Sequence, residues 1–488
     1  MTPEPQNHEY DVVVIGAGAA GENVADRVVQ GGLTAVLVEA ELVGGECSYW
    51  ACMPSKALLR PGTALHGAQT IPGAKEAVTG TLHAPAVLEN RNRFTSNWED
   101  GSQVQWVEDA GIDLIRGHAW LTAPKRVEVA GTDGTSHLLT ARHAVVLATG
   151  SMPTTPPIEG LDEVEVWGTR EATSAKEVPE RLAVLGGGVA GTELAQAFAR
   201  MGSSVTLLAR GRLLGNFPDE AAELVAAGLR ADGVDIRTGT ATHSITTDDD
   251  GTLRLEIDDP SGGRTTVVAD KVLVSTGRYP ALQGLGLESL GFEPGESGNL
   301  SLATDTTGLV EGTPGEGSWL YAVGDAAGKH LFTHQGKYEA RATGDAIAAR
   351  AKGELDGTPG TWSRYAQTAN DHAVPSVVFT DPEIASVGRA LQKAQEDGYK
   401  ASTVELPIEV AGSSLHAENY QGWAQLVIDE DRKVLLGATF AGPDVAELLH
   451  AATIAVVGEV PLDRLWHAVP SYPTISEVWL RLLEKYGR

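Results

Sequence analysis

Two glycine-rich turns, each placed directly after a run of apolar residues, constrain the fold of this chain more than any other feature of its sequence. The runs are residues 12–15 and 182–185, and a continuous apolar run predicts a strand buried on both faces, as in a parallel sheet. The spaced glycines of the two G-x-G-x-x-G motifs are Gly16, Gly18 and Gly21 in the first and Gly186, Gly188 and Gly191 in the second. We therefore predict two strand–turn–helix units whose backbone N–H groups bind pyrophosphates at helix N-termini.

The first unit continues as a dinucleotide-binding fold requires. We predict a helix over residues 22–30 and a second strand over residues 34–38, which is followed directly by Glu39. An acidic residue about 20 positions after the glycines accepts hydrogen bonds from ribose hydroxyls in such folds. Glu39 is therefore the predicted ribose ligand of the first dinucleotide.

The second unit differs at the position where the acidic residue would stand. Its helix is predicted to end at Arg200, and its second strand, residues 205–208, is followed by Ala209, Arg210 and Arg212. Arginines at this place pair with a 2′-phosphate through charge-assisted hydrogen bonds, whereas an acid binds the free 2′-hydroxyl of NAD. We therefore expect NADPH to be preferred over NADH. The alternative is that both arginines are ordinary solvated surface residues.

The length and the net charge of the chain indicate how many domains to expect and which partners to exclude. A chain of 488 residues exceeds what one hydrophobic core usually supports, so roughly two to four domains are expected. The net charge of −28 argues against nucleic acid and anionic membranes as partners, because both attract clustered Lys and Arg. No apolar stretch approaches the roughly 18 residues that span a bilayer, and residues 1–10 lack the pattern of a secretory signal. We expect a cytoplasmic protein.

The chain contains two cysteines, Cys47 and Cys52, which lie five positions apart. Two cysteines are too few for a structural zinc site built on four thiolates, or on three thiolates and an imidazole, and no metal centre is expected. Pro54 is typical of a first helical turn, which places Cys52 at a helix N-terminus, where the helix dipole lowers the pKa of a thiol. Because residues five apart do not share a helix face, the backbone must be distorted for the two sulfurs to meet. A labile redox pair is one interpretation, and two buried apolar cysteines are the alternative.

Further motifs follow in a fixed order along nearly the whole chain. Besides the glycine motifs and the segment from Cys47 to Lys56, they are Gly45, Ala148-Thr149-Gly150, Glu193, Ser275-Thr276-Gly277-Arg278, Tyr321-Ala322-Val323-Gly324-Asp325 and Tyr472-Pro473-Thr474 with Glu477. Together they resemble the FAD-dependent pyridine nucleotide–disulfide oxidoreductases, the group of glutathione reductase, lipoamide dehydrogenase, mercuric reductase and soluble transhydrogenase.

The resemblance implies an α/β protein with two Rossmann-like dinucleotide-binding domains, one for FAD and one for NAD(P)H, and a C-terminal α+β dimerisation domain. The implied boundaries are 1–155 and 278–355 for a discontinuous FAD-binding domain, 156–277 for the NAD(P)H-binding domain and 356–488 for the dimerisation domain. The apolar pattern supports strands between residues 112 and 147, and further strands and helices after residue 362. Relatives form homodimers in which the last domain contributes residues to the partner's active site.

The same resemblance implies a role for each matching residue. The FAD ligands would be Gly16, Gly18, Gly21, Glu39, Gly45, Lys56, Thr149, Gly150, Gly324 and Asp325, the last through the ribityl chain. The nicotinamide coenzyme would be bound by Gly186, Gly188, Gly191, Glu193, Arg210, Arg212 and Gly277. Hydride would pass from NADPH to FAD, and the electrons would open the disulfide through Cys52 and release Cys47 as the thiol that meets the substrate. Lys56 and Glu193 match the family's flavin-side ion pair, and Tyr472 and Glu477 complete the expected catalytic set.

One position departs from the disulfide-reducing members, which carry a His-Pro-Thr in place of Tyr472-Pro473-Thr474. Tyrosine titrates near pH 10 and does not readily take a thiol proton at neutral pH. Losing such a base typically costs ~10²–10⁴ in rate, so efficient turnover of a glutathione-like or lipoamide-like disulfide is in doubt. His467 is a displaced substitute, for which a structural role is the stronger interpretation.

The sequence leaves the electron acceptor open, a disulfide or another small oxidant. The leading hypothesis is an NADPH-dependent flavoprotein with an active disulfide. The runner-up is a flavin-only quinone reductase of the diaphorase type, or a transhydrogenase-like enzyme, in which the cysteines are not needed. A non-catalytic FAD-binding sensor is a third hypothesis, against which the intact second glycine motif argues.

Overall fold

A computed structural model describes residues 6–315 and 317–487. The first five residues and Arg488, which the predicted terminal domains include, lie outside the described residues. The fold divides into two compact units, each built from three separate stretches of the chain. The first unit comprises Met1–Met53, Asn92–Thr154 and Arg278–Asn370, and the second comprises Pro54–Arg91, Thr155–Gly277 and Asp371–Arg488. The domain boundaries given above stay predictions.

The first unit is built on a six-stranded, mainly parallel sheet. Its strands are Gln6–Ile15, Ala35–Glu39, Asp113–Ala123, Arg126–Gly131, Ser136–Leu147 and Leu320–Ala322. The first strand pairs in parallel with the second and the fifth, and the short fourth strand pairs antiparallel with its two neighbours. A separate two-stranded ribbon joins Ser151–Pro153 to Arg278–Pro280. The two strands predicted before the first glycine motif and after its helix are confirmed.

Successive residues of the first strand enter two different hydrophobic clusters on opposite faces of this sheet. Val12 and Val14 belong to one cluster, and Val13 and Ile15 to the other. All four are buried. Burial on both faces explains why the run before Gly16 is continuously apolar rather than alternating.

Two long helices cover one face of the first unit's sheet. They are Ala19–Gln30, which follows the first glycine motif, and Thr333–Ala351. Gly344 allows their close approach, because a Cβ at this position would lie 2.6 Å from the Cβ of Arg27. The shorter helices of this unit are Gly45–Tyr49 and Gly101–Asp109, with 3₁₀ turns at Ser96–Trp98, Leu287–Leu290 and Gly324–Ala327.

Among its described residues, the second unit contains three sheets. The first is fully parallel and has the strand order Asp235–Thr238, Ser204–Ala209, Arg181–Leu185, Lys271–Val274 and Val166–Trp167. Beside it lies an antiparallel sheet of Thr242–Thr247, Leu253–Asp258 and Arg264–Ala269. The helices associated with the parallel sheet are Thr169–Ser174, Val189–Arg200 and Asp219–Ala231, with a 3₁₀ turn at Leu161–Glu163. The second predicted strand–turn–helix unit is therefore confirmed.

The third sheet of this unit is antiparallel and lies in the C-terminal part of the chain. Its strand order is Pro375–Val378, Glu383–Gly388, Val434–Gly442, Trp423–Asp429 and Ala401–Pro407. Its helices are Leu391–Glu396, Ala411–His416, Leu449–Val457, Leu462–Leu465 and Val478–Tyr486, with 3₁₀ turns at Val445–Leu448 and Ile475–Glu477. The strands and helices predicted after residue 362 are present, which gives the expected α+β fold.

Three further helices cross the boundaries between the two units along the chain: Cys52–Gln69, Ala84–Phe94 and Ala369–His372. A 3₁₀ turn, Lys75–Ala77, lies between the first two. Within residues 6–315 and 317–487, no helix is both long and apolar enough to cross a membrane.

Candidate active site

The two cysteines lie on either side of a break between two helices. The helix Gly45–Tyr49 ends before Trp50 and Ala51, and a new helix begins at Cys52. This break is the backbone distortion that the five-residue spacing requires. It brings the Cys47 and Cys52 side chains into hydrogen-bond contact, with both sulfurs in the thiol form.

A third side chain of the first unit completes the cysteine site. The hydroxyl of Thr333 lies 3.2 Å from the Cys52 sulfur and also hydrogen-bonds to the Cys47 sulfur. Thr333 begins the helix Thr333–Ala351, and the charge of Lys337, one turn later, faces Cys47. The sequence predicted neither residue, because no motif marks the start of this helix.

The surroundings of Cys47 favour its neutral form. The hydrogen bond with Cys52 raises the pKa of the Cys47 thiol, and burial raises it further, against the smaller opposing effects of Thr333 and Lys337. Two cysteine side chains in hydrogen-bond contact are candidates for a redox-active pair.

The first glycine turn has the features that a pyrophosphate needs. No side chain caps the N-terminus of Ala19–Gln30, so its first backbone N–H groups are available to an anion. A Cβ on Gly45 would lie 2.8 Å from the Cα of Gly18, and the φ of Gly45 is +61°, which explains why position 45 is glycine. These observations fit the FAD that the resemblance implies.

Glu39 lies at the end of the strand Ala35–Glu39, as predicted for a ribose ligand. Its carboxylate accepts hydrogen bonds from the backbone N–H groups of Ala17, at 2.7 Å, and Glu41, at 2.8 Å. Burial raises the pKa of this carboxyl. The two backbone contacts fix its position beside the glycine turn, where a ribose hydroxyl would meet it.

A polar chain links Asp325, one of the predicted FAD residues, to the ribbon of Ser151–Pro153 and Arg278–Pro280. Ser151 donates to Asp325 at 2.5 Å, and Arg278 donates to both the hydroxyl and the carbonyl of Ser151. Gly324 donates its N–H to the fully buried Glu339 at 2.8 Å. Burial raises the pKa of Asp325. Separately, Thr149 beside Gly150 donates to the carbonyl of Ala281 at 2.7 Å, which ties the motif to the segment that follows Arg278.

The predicted ion pair of Lys56 and Glu193 is present in the second unit. Their charged atoms lie 2.7 Å apart, and the other oxygen of Glu193 accepts the backbone N–H of Phe379 at 2.9 Å. The ammonium of Lys56 lies 4.8 Å from the centre of the Phe379 ring. Glu193 is 2% exposed. The buried carboxylate is therefore held in place by the surrounding protein, and it in turn positions Lys56. The place of this pair beside a flavin stays a prediction.

The second glycine turn also fits a bound pyrophosphate. Gly186 has a φ of +122°, and a Cβ there would lie 2.2 Å from the carbonyl oxygen of Ser275. By contrast, the space around Gly188 is open, and no side chain caps the helix Val189–Arg200 that begins after it. Gly277, predicted to contact the same coenzyme, follows the strand Lys271–Val274. The turn therefore combines a tight backbone with an accessible helix N-terminus.

The two arginines predicted to bind a 2′-phosphate differ in their surroundings. Arg212 pairs with Asp219 and donates to the carbonyls of Gly215 and Phe217, at 2.6 and 2.9 Å. Arg210 is exposed and makes no hydrogen bond or ion pair with other described residues. Arg210 is thus available to a ligand, whereas the guanidinium of Arg212 is occupied by hydrogen bonds that stabilise its own loop.

Comparison with known families identifies the chain. Residues 10–353 match the pyridine nucleotide-disulphide oxidoreductase family, and residues 374–482 match its dimerisation domain. The chain belongs to this family. It is therefore a flavoprotein enzyme of the oxidoreductase class that depends on FAD and a pyridine nucleotide, and the match to the dimerisation domain supports a homodimer.

Individual relatives cover almost the whole of this family member. A mercuric reductase of Staphylococcus aureus is 30% identical over 472 residues, which are 96% of this chain and 81% of the relative. A dihydrolipoyl dehydrogenase of Thermus scotoductus is 32% identical over 480 residues, with 96% and 95% covered. The solved structure of the HOCl-induced flavoprotein disulfide reductase RclA from Escherichia coli has the same fold, with a TM-score of 0.78 at 24% identity and 97% and 99% coverage.

The residues expected at the family's acid–base position lie in the second unit. Tyr472 is 77% exposed, and the carboxylate of Glu477, at the end of a 3₁₀ turn, accepts a hydrogen bond from Arg481 at 2.7 Å. His467 is also exposed. Glu477 is thus engaged by an arginine of the last helix, and the roles of Tyr472 and Glu477 stay predictions.

Proposed function

We propose that this family member is an NADPH-dependent FAD oxidoreductase whose electrons reach the acceptor through the Cys47–Cys52 pair. The observation that carries the proposal is the contact between the two thiols, which share the hydroxyl of Thr333 at the break before the helix of Cys52. Relatives named as a mercuric reductase and a dihydrolipoyl dehydrogenase support a redox role for the pair. The acceptor is a small oxidant whose identity is unassigned.

The chain's own residues hold and orient the two cofactors in this proposal. Bound FAD supplies two-electron transfer between the nicotinamide and the disulfide. The uncapped helix N-termini after Gly18 and Gly188 bind the two pyrophosphates, and Glu39 binds the ribose of FAD. Lys56, fixed by Glu193, supplies a positive charge on the flavin side.

The two cysteines have different roles in this proposal because their surroundings differ. When the disulfide accepts two electrons and one proton, the S–S bond breaks and leaves one thiol and one thiolate. The helix N-terminus favours the charge on Cys52, and the burial that raises the pKa of Cys47 supports a proton on that residue. Cys47, the residue before the break, is then the thiol that meets the acceptor.

The tyrosine at position 472 limits which acceptors are efficient. A disulfide substrate needs the leaving or attacking thiol to exchange a proton, and Tyr472 stands where the disulfide-reducing members carry a histidine base. A flavin-only diaphorase or transhydrogenase-like activity is favoured by this one observation, since it needs no base toward Cys47. In that second candidate function the cysteines are not required for turnover.

An anaerobic titration with NADPH tests the proposal. The wild-type enzyme should take up two more electrons per FAD than Cys47→Ser, because reduction of the disulfide consumes a further electron pair. Ser48→Ala, at the neighbouring position, should behave like wild type. Equal uptake by wild type and Cys47→Ser would refute the role of the pair. If diaphorase turnover survives in Cys47→Ser and in Cys52→Ser while disulfide reduction is never detected, the second candidate function is supported.

A further inference from the structure

A buried charge network in the second unit joins the helix Cys52–Gln69 to the helix Val189–Arg200. The carboxylate of Asp381 lies 2.6 Å from the Nδ1 atom of His66 and 2.9 Å from Arg200. Arg200 also binds Asp232, at 2.9 Å. The side chains of Asp381 and Arg200 are 5% and 9% exposed, so this network is largely removed from water. His66 is its most accessible member.

The backbone on which Asp381 lies is fixed to the same helix that carries Glu193. The N–H of Asp381 donates to the side-chain oxygen of Gln196 at 2.8 Å, and its carbonyl accepts the Gln196 side-chain N–H at 2.8 Å. Two residues earlier, Phe379 donates its N–H to Glu193. Glu193, Gln196 and Arg200 are spaced by three and four residues and therefore share one helix face. The loop of residues 379–381 thus runs along this face.

The loop connects His66 to the ion pair of Lys56 and Glu193. Phe379 contributes its N–H to Glu193 and its ring to the ammonium of Lys56, while Asp381 binds His66. Lys56 and His66 lie ten residues apart on one helix. This helix is therefore attached to the loop at two points, one of which contains a group that titrates near neutral pH.

We propose that His66 is a positioning residue for the reaction. Its protonated ring holds Asp381 and thereby the loop of residues 379–381, on which the ion pair of Lys56 and Glu193 rests. The influence of this ion pair on bound FAD then depends on pH. The inference rests on the proposed function in one respect, that the ion pair faces the flavin.

The charges around His66 determine the direction of the effect. The charged groups that face it are Asp381 from the loop, Arg200 from the helix Val189–Arg200 and Asp232 from the end of the helix Asp219–Ala231. Two carboxylates face one guanidinium, so a protonated imidazole balances the network. The hydrogen bond to Asp381 is the main reason that the pKa of His66 is raised. The stabilisation is complete below the pKa of an unfolded histidine and is lost as the pH rises through the folded value.

The test measures the midpoint potential of bound FAD across about pH 5 to 9. A Cys47→Ser/Cys52→Ser background restricts electron uptake to FAD. In this background, His66→Lys keeps a positive charge across most of the range, and His66→Gln never carries one. The potential of the background enzyme, which keeps His66, should follow the His66→Lys curve at acid pH and the His66→Gln curve at alkaline pH. His83→Gln, which replaces an exposed histidine of the same unit, should have the same potential as the background enzyme across the whole pH range.

Each outcome decides a different point. Superimposed curves for His66, His66→Lys and His66→Gln would overturn the inference, provided that Lys56→Met still shifts the potential. If Lys56→Met leaves the potential unchanged, the proposed position of the ion pair fails, and the inference fails with it. FAD content and thermal melting establish that each variant is folded. If one of the two His66 variants does not fold, the other still decides the case. The enzyme with His66 should then match His66→Lys at acid pH only, or His66→Gln at alkaline pH only.

Discussion

At the residue scale, Arg210 and Arg212 show how equivalent sequence positions acquire different roles. Both follow the strand Ser204–Ala209, where an arginine can bind a 2′-phosphate. In the structure Arg212 binds Asp219 and two carbonyls of its own loop. Arg210 remains accessible, so coenzyme selectivity should depend mainly on this residue.

Replacing Arg210 by Ala should raise the KM for NADPH by roughly 10- to 100-fold, since a hydrogen bond to a charged group contributes about 1.5–3 kcal/mol. The KM for NADH should change little. Arg212→Ala is the matched control and should lower the melting temperature without a comparable change in selectivity. Steady-state kinetics with both coenzymes provides the measurement. Equal changes in the two KM values for Arg210→Ala would contradict the assignment.

The sequence identified the candidate residues that a local motif defines and missed those that depend on tertiary contacts. Glu39, Cys52 and Gly188 could be predicted because a strand end, a helix start or a turn defines each of them. Thr333 and Phe379 reach their positions from distant parts of the chain, and no local pattern marks them. The same limit applies to His66, whose partner Asp381 is 315 residues away.

At the scale of elements, the two glycine turns were the most predictable parts of the fold. Their strands and helices follow from apolar runs, helix-forming segments and the steric needs of a tight turn. Helix ends were harder to predict. The helix Ala19–Gln30, for example, begins three residues before its predicted start at Glu22, because the glycine turn leads directly into helical backbone.

The second glycine turn allows a test that separates folding from binding. Gly186→Ala should destabilise the protein by on the order of 3 kcal/mol, since the methyl group would meet the Ser275 carbonyl and the backbone has a positive φ. Gly188→Ala should leave the melting temperature unchanged, because the surrounding space is open. It should instead raise the KM for NADPH by roughly 10-fold, where a methyl group obstructs the pyrophosphate. Unchanged coenzyme binding in a folded Gly188→Ala would contradict this location of the site.

At the scale of the whole molecule, buried carboxyl groups determine how stability varies with pH. Burial raises the pKa of Glu383 from 4.5 to about 7 and that of Glu339 to about 7. A raised carboxyl pKa means that the folded state binds more protons than the unfolded state between these values. The stability that each group contributes is therefore present at low pH and lost as the pH rises through about 7. The net charge of −28 acts in the same direction, because its self-repulsion decreases on protonation.

We therefore expect the melting temperature to be higher near pH 6 than near pH 8. Glu383→Gln should reduce this difference, since the amide carbonyl can still accept the N–H of Ala446 and no charge has to be buried at high pH. Glu396→Gln, at an exposed position, serves as the control and should leave the pH dependence unchanged. Thermal melts at matched ionic strength provide the measurement. A steeper dependence in Glu383→Gln than in wild type would show that burial is not the main influence on this carboxyl.

The exposed apolar side chains of the matched dimerisation domain indicate where two copies of the chain meet. Val469 is 84% exposed and Leu415 is 70% exposed, and apolar side chains as exposed as these in an oligomerising domain are often covered by the partner. Val469→Asp should shift the enzyme from dimer to monomer in light scattering after size-exclusion chromatography. Trp106→Asp, at an exposed apolar position outside this domain, should remain dimeric. If the partner contributes Tyr472 to the site, the Val469→Asp monomer should retain FAD and reduction by NADPH but lose turnover with the acceptor. A fully active monomer would show that each chain carries a complete active site.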